Sequence, residues 1–256
     1  MAGLLLISNV SSAQNNHMAL IEGGEYIPLY GVGEQPETSV EDFYMDIHPV
    51  TYAEFQEFVN KQPKWQKSNV TKLFADSRYL SNWDNDLTAP AALLDKPITM
   101  VSWFAAKAYC ECQGKRLPTV DEWEYAAMAS GTKKDARRDS LYNVSILRSY
   151  EEPRTYLKTV GNSKANYWGL KDMHGMVWEW TQDFNSIILT GESRNNGNTD
   201  AGMFCAAGAI GANDMMNYAA FMRFAMRSSL KANFSLTTLG FRCAQDSGKQ
   251  NQLTFK

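Results

Sequence analysis

Cys110, Cys112, Cys205 and Cys243 are the thiols of this chain, and thiolates are the natural protein ligands for a soft metal ion. Cys110 and Cys112 lie two apart in a segment that reads as a helix. A turn of ~200° between them sends the two side chains to different faces, so they make a poor chelate. Cys205 stands by itself, and a lone thiol is more often a small buried apolar group than a nucleophile. Four cysteines in 256 residues fit either redox compartment by count alone. The charged run at 133–138, Lys-Lys-Asp-Ala-Arg-Arg, invites a reading as a binding patch, but the interleaved Asp135 and Asp139 make it a solvated face.

The elements that must position such groups follow from patterning. Apolar residues between Met18 and Tyr30 and again at Phe43 to Ile47 suggest an opening hairpin. Thr51 with Glu54 three residues on is a capping box ahead of Phe55, Phe58 and Val59. A second helix starts near Ser102. A third is announced by Thr119 with Glu122 and is expected to stop at Gly131. Residues 61–97 read as a long loop pinned by Trp65, Phe74, Tyr79 and Trp83. The stretch 192–202 carries almost no apolar side chain and suits a loop that closes over something. The tail at 246–256 is polar and expected to fray.

Twenty-five basic against 28 acidic residues give a formal charge of -3, which excludes the electrostatic footprint of a nucleic-acid binder. No apolar run approaches the ~20 residues of a membrane-spanning helix. The start, Gly3 to Ile7 followed by Ser, Asn and Val up to Ala13, reads like the end of a secretory signal with Ala13 at the cleavage position, and predicts export, as to a periplasm. The expected organisation is a signal remnant or loose terminus at 1–17, one domain at 18–245 and the tail.

Three blocks go beyond patterning. They are Val-Ser-Trp-Phe-Ala-Ala-Lys-Ala-Tyr-Cys at 101–110 running into Gly-Lys-Arg-Leu-Pro-Thr-Val-Asp-Glu-Trp-Glu-Tyr-Ala-Ala at 114–127, then Tyr-Trp-Gly-Leu-Lys-Asp-Met-His-Gly-Met-Val-Trp-Glu-Trp-Thr at 167–181, and Leu-Gly-Phe-Arg-Cys at 239–243. In order and spacing they resemble the sulfatase-modifying-factor superfamily, which includes the formylglycine-generating enzymes. The strings at 135–139, 183–186, 204–208 and 218–228 look like the branch of nitrite-reductase-associated accessory proteins (NirV type). The resemblance implies a single α+β domain of C-type-lectin-like topology with little regular secondary structure, and it pairs Cys110 with Cys243 in a disulfide, which suits an oxidising compartment.

The same resemblance sets expectations for chemistry. Formylglycine-generating enzymes hold copper(I) through two cysteines spaced five apart. Registering residues 218–227 on the arginine-rich strand of that family puts Ala219 at the second cysteine and Asp214 at the first, so copper(I) binding at that site and the cysteine-oxidising reaction are not expected. An iron site of the kind found in histidine-modifying relatives would need His17, His48 and His174 together, and is not expected either. A family calcium loop matches 172–179, with Asp172 and Glu179 giving or anchoring oxygens and Gly175 and Val177 offering carbonyls; Met176 stands where asparagine is common. The leading expectation is an exported accessory or maturation factor for a copper nitrite reductase. The alternatives are an oxidoreductase using Asp214, Arg223, Arg227 and Arg242 around the old groove, and a lectin-like binding module.

Overall fold

The computed structural model describes residues 17–29, 37–152, 157–185 and 218–248. Strand β1 (Met18–Ile21) pairs antiparallel with β4 (Phe43–Asp46), with Ile21 opposite Phe43. Between them β2 (Gly24–Tyr26) pairs with β3 (Thr38–Val40), so the expected opening hairpin is built as two ladders. Gly23 at the junction has no alternative, because a Cβ there would lie 2.2 Å from the carbonyl oxygen of Val40. Period-two alternation turns Ile21, Phe43 and Met45 inward and leaves Leu20 and Tyr44 exposed. On the other side of β4 runs β7 (Ala244–Asp246). Asp246 therefore does not begin a frayed tail: it pairs with Phe43 and takes the Arg116 guanidinium at 2.6 Å.

Helix α1 (Tyr52–Lys61) opens on the Thr51 and Glu54 capping box and buries Tyr52, Phe55, Phe58 and Val59. Ser102 caps α2 (Trp103–Cys112) by accepting from the N–H of Ala105. Their apolar faces meet through Phe55 and Tyr109, with ring centroids 5.8 Å apart, and Phe241 closes the contact at 5.3 Å from Tyr109. Burying aromatic side chains of this size is worth roughly 1.5–3 kcal/mol each. Cys110, at the buried end of α2, is bonded to Cys243 with an S–S distance of 1.99 Å, while Cys112 is exposed, as the ~200° turn between them requires.

Helix α3 (Val120–Ala127) starts on the expected Thr119 and Glu122 box. It ends at Met128 rather than Gly131, because the chain must turn there so that Ala136 can donate back to the Met128 carbonyl. A further helix, α4 (Ser140–Glu151), was not foreseen; Asp139 caps it, and Asn143 and Ile146 face inward. The segment 218–228, placed on a strand by resemblance, is helix α5 (Tyr218–Ser228). In a strand, Arg223 and Arg227 would be ~13 Å apart along one face, whereas one helical turn brings both guanidinium groups to the same carboxylate.

Residues 62–99 are mostly irregular, with 3-10 turns at Pro63–Trp65 and Ala91–Leu93. Trp65, Tyr79 and Trp83 are buried anchors as expected, but Phe74 is 40% exposed. The short parallel pair β5 (Trp178–Glu179) and β6 (Leu239–Gly240) ties the middle of the chain to its end. No helix among the described residues is long and apolar enough to cross a membrane.

Candidate functional site

Helix α5 inverts the usual surface-helix pattern. Its charged residues, Arg223 and Arg227, lie on the buried face, and Tyr218 is half exposed. Both arginines converge on Glu124 of α3. Arg223 donates from Nε to Glu124 Oε1 at 2.9 Å and from Nη2 to Oε2 at 2.6 Å, and Arg227 donates from Nη1 to Oε1 at 2.6 Å. Arg223 Nη1 also donates to the Tyr150 hydroxyl at 3.1 Å. The two guanidinium groups lie 5.3 and 5.0 Å from the Trp123 ring. Burial alone would raise the Glu124 carboxyl, but the adjacent Arg223 and Arg227 charges outweigh it and hold it at about 2.

A second buried ion pair lies on the other side of Trp123. Arg242 donates from Nε and Nη2 to the two oxygens of Glu179 at 2.8 and 2.9 Å, and Trp123 Nε1 donates to Glu179 Oε2 at 2.8 Å. The remaining Arg242 donors reach the carbonyls of Asp46, Ile47 and Lys171 at 3.1–3.2 Å. Beside the triad of Glu124, Arg223 and Arg227, His174 Nε2 lies 3.1 Å from the Ala127 carbonyl and 3.2 Å from the Tyr142 hydroxyl. The residue as a whole is partly exposed, yet its Nδ1 is enclosed without a hydrogen-bond partner. Burial, with the Arg223 charge, pushes the imidazole down to about 3, so it is neutral at physiological pH.

Two small cavities flank the triad. One, of about 20 Å³, is bounded by Tyr26, Glu124, Tyr142, Ala219, Arg223 and Phe224. The other, of about 10 Å³, lies against Trp123, Tyr150, Trp178, Glu179 and Arg227. Spaces of this size hold about one water each and no substrate.

Of the groove candidates, Arg223, Arg227 and Arg242 are thus brought close together, but each is committed to a buried carboxylate; Asp214 lies outside the described residues, as do Cys205 and 192–202. Ala219 is buried on α5 and presents only a methyl group, so this position offers no ligand for copper(I). Asp172, at φ 58°, turns its carboxylate to the backbone N–H groups of Gly161 and of Ser163, the latter at 3.2 Å. Glu179 has both oxygens filled by Arg242 and Trp123. Gly175, at φ 83°, is pressed against Ser149, where a Cβ would meet the serine Cβ at 2.5 Å. No group of three or more acidic, histidine or cysteine side chains converges as a cation site among the described residues. Both carboxylates of the 172–179 loop therefore already accept from protein N–H groups.

Sequence reasoning singled out all three arginines but missed Glu124 as the partner of Arg223 and Arg227, and Glu179 as that of Arg242. The available signal was the spacing of Arg223 and Arg227, one helical turn apart, which demands a shared acid if the face is buried.

The family described as "Sulfatase-modifying factor enzyme 1-like domain" matches residues 6–247. Serine/threonine-protein kinase pkn1 of Chlamydia caviae is 30% identical over 65% of this chain, and the chain spans 28% of that protein's length. Formylglycine-generating enzyme of Bos taurus is 27% identical, over 84% of this chain and 69% of its own. Inactive C-alpha-formylglycine-generating enzyme 2 of Bos taurus is 28% identical, over 94% of this chain and 91% of its own.

Proposed function

Because the chain belongs to the sulfatase-modifying factor enzyme 1-like family, we propose that it uses that fold without the copper-dependent oxidation of cysteine, as an exported accessory or maturation protein of a copper nitrite reductase. The observation that carries the first half is Ala219: a buried methyl group at the position assigned to the second copper-binding thiolate. Without the thiolate pair there is no soft chelate to hold copper(I) and activate oxygen against a substrate thiol. The arginines around that position hold the fold together instead, since each donates to Glu124 or Glu179. A relative named as an inactive enzyme over 94% of this chain supports the same reading.

The reductase link is supported by the likeness of the strings at 135–139 and 218–228 to the reductase-associated branch. Export is supported by the signal-like start and by the Cys110–Cys243 disulfide, a bond that persists in oxidising compartments. Purified protein given copper, oxygen and a sulfatase-type cysteine peptide is expected to leave the peptide mass unchanged. A deletion strain is expected to make the nitrite reductase with reduced copper occupancy. Aldehyde formation in the first assay overturns the non-catalytic half, and fully loaded reductase in the second overturns the accessory half.

A further inference from the structure

Away from the buried Glu124 and Glu179 ion pairs, the first turn of α2 lies in a surface patch assembled from three distant segments. The N–H of Trp103 donates to the Ala232 carbonyl at 2.9 Å, that of Asp76 to the Asn233 carbonyl at 2.8 Å, and Asn233 Nδ2 to the Lys72 carbonyl at 3.5 Å. Phe74 meets Phe104 edge-on at 5.2 Å and Phe104 meets Trp103 at 5.3 Å. Leu73 is 73% exposed beside the half-exposed Phe74. Contiguous apolar side chains left open in this way mark a surface that something covers.

The rim of the patch is basic. Lys107 Nζ lies 5.3 Å from the Trp103 ring and Lys231 Nζ 5.8 Å from Phe234, while Lys72 adjoins Leu73. Of these lysines, Lys107 is already ion-paired, which leaves Lys72 and Lys231 as the rim charges without an acidic partner among the described residues. Asp76 is taken up by the N–H groups of Arg78 and Ser235, and Glu111 meets Lys107 across 3.5 Å of exposed surface. No acidic side chain among the described residues forms an ion pair with Lys72 or Lys231. A basic aromatic patch on a chain of net charge -3 is a local reversal of the overall field.

We infer that this patch docks an acidic protein, with an apolar anchor seated on Leu73 and Phe74 and carboxylates facing Lys72 and Lys231. An apolar centre with a charged rim is the anatomy of a protein interface. The unpaired rim lysines, Lys72 and Lys231, are fewer than the ~4–8 clustered basic residues that hold proteins on anionic membranes, which favours a protein over a lipid surface. The patch itself follows from the geometry, and only the naming of a nitrite reductase as occupant rests on the accessory reading.

The test uses the full chain and a fluorescein-labelled helical peptide bearing one leucine face flanked by glutamates, followed by anisotropy. Binding is expected to weaken about tenfold or more in Lys72→Glu with Lys231→Glu, and in Phe74→Ala, and to stay unchanged in Lys164→Glu, an exposed lysine outside the patch. No binding of the peptide, equal binding by the patch variants, or equal weakening by Lys164→Glu overturns the inference. So does binding confined to phosphatidylglycerol vesicles. Copper nitrite reductase added as competitor separates the two claims: failure to displace a patch-dependent peptide removes the accessory reading and leaves the docking surface standing.

Discussion

Arg242 grips both carboxylate oxygens of Glu179, at 2.8 and 2.9 Å, with both side chains fully enclosed. The pair joins the last stretch of the chain to β5 and, through Trp123, to α3. Removing one partner leaves a buried charge without compensation, which costs about 3–5 kcal/mol. Glu179→Gln or Arg242→Met is expected to lower the unfolding free energy, measured by urea denaturation, by that amount. Replacing both together by Leu and Met is expected to cost less than the sum of the single changes. A strictly additive double variant would rule out the direct coupling.

The Glu124 clamp and His174 predict the acid limb of stability. The Glu124 carboxyl is held at about 2, below its ordinary value, so its contribution is complete at neutral pH and is lost as pH falls from about 4.5 toward 2. His174 is held at about 3, below 6.5, so the unfolded chain takes up its proton first and stability falls as pH drops from 6.5 toward 3. Each pH unit within a window is worth up to ~1.4 kcal/mol per group. His174→Gln is expected to flatten the slope between pH 6.5 and 5, measured by denaturant midpoints. An unchanged slope would refute the buried, neutral imidazole.

Calcium is expected to leave the melting temperature unchanged, as is chelator, because the Asp172 and Glu179 oxygens face protein N–H groups. An ion that bound only the folded state would raise it by mass action. A calcium-dependent rise that Asp172→Asn abolishes would show that the loop rearranges to take the ion.

Loss of the Cys110–Cys243 bond is expected to destabilise the chain by roughly 4–5 kcal/mol on chain-entropy grounds, since the cross-link spans 133 residues. Cys110→Ser with Cys243→Ser, compared with the oxidised parent by urea denaturation, checks this. Cys112→Ser is exposed and expected to change stability by less than ~0.5 kcal/mol.

Local signals made much of this fold legible. The capping boxes at Thr51 and Thr119 bond side chain to backbone within three residues, so sequence order alone specifies them, and both formed as written. Helix α4 was less readable because Asp139 caps it from within a charged run, and charge runs carry no apolar period. Helix α5 takes the place of a strand that rested on resemblance, and the four-residue spacing of its arginines has a reason only once Glu124, 99 residues away from Arg223, is known to lie beneath them. The same holds at the loop of 172–179. An acidic residue in an irregular loop reads equally as a cation ligand or as a cap for amides. Which one it is depends on where Gly161, Ser163 and Arg242 end up.

The disulfide described above closes a covalent ring around α3, α4 and α5. Cleavage of the peptide backbone anywhere between Cys110 and Cys243 therefore yields two pieces that still travel as one on a denaturing gel, until a reductant lets them part. Of the helices in the described residues, only α1 and most of α2 lie before the ring. A protease cut within the charged run at 133–138 would thus open the chain without releasing either half. The protein would keep its mass in an oxidising medium while its backbone was already broken.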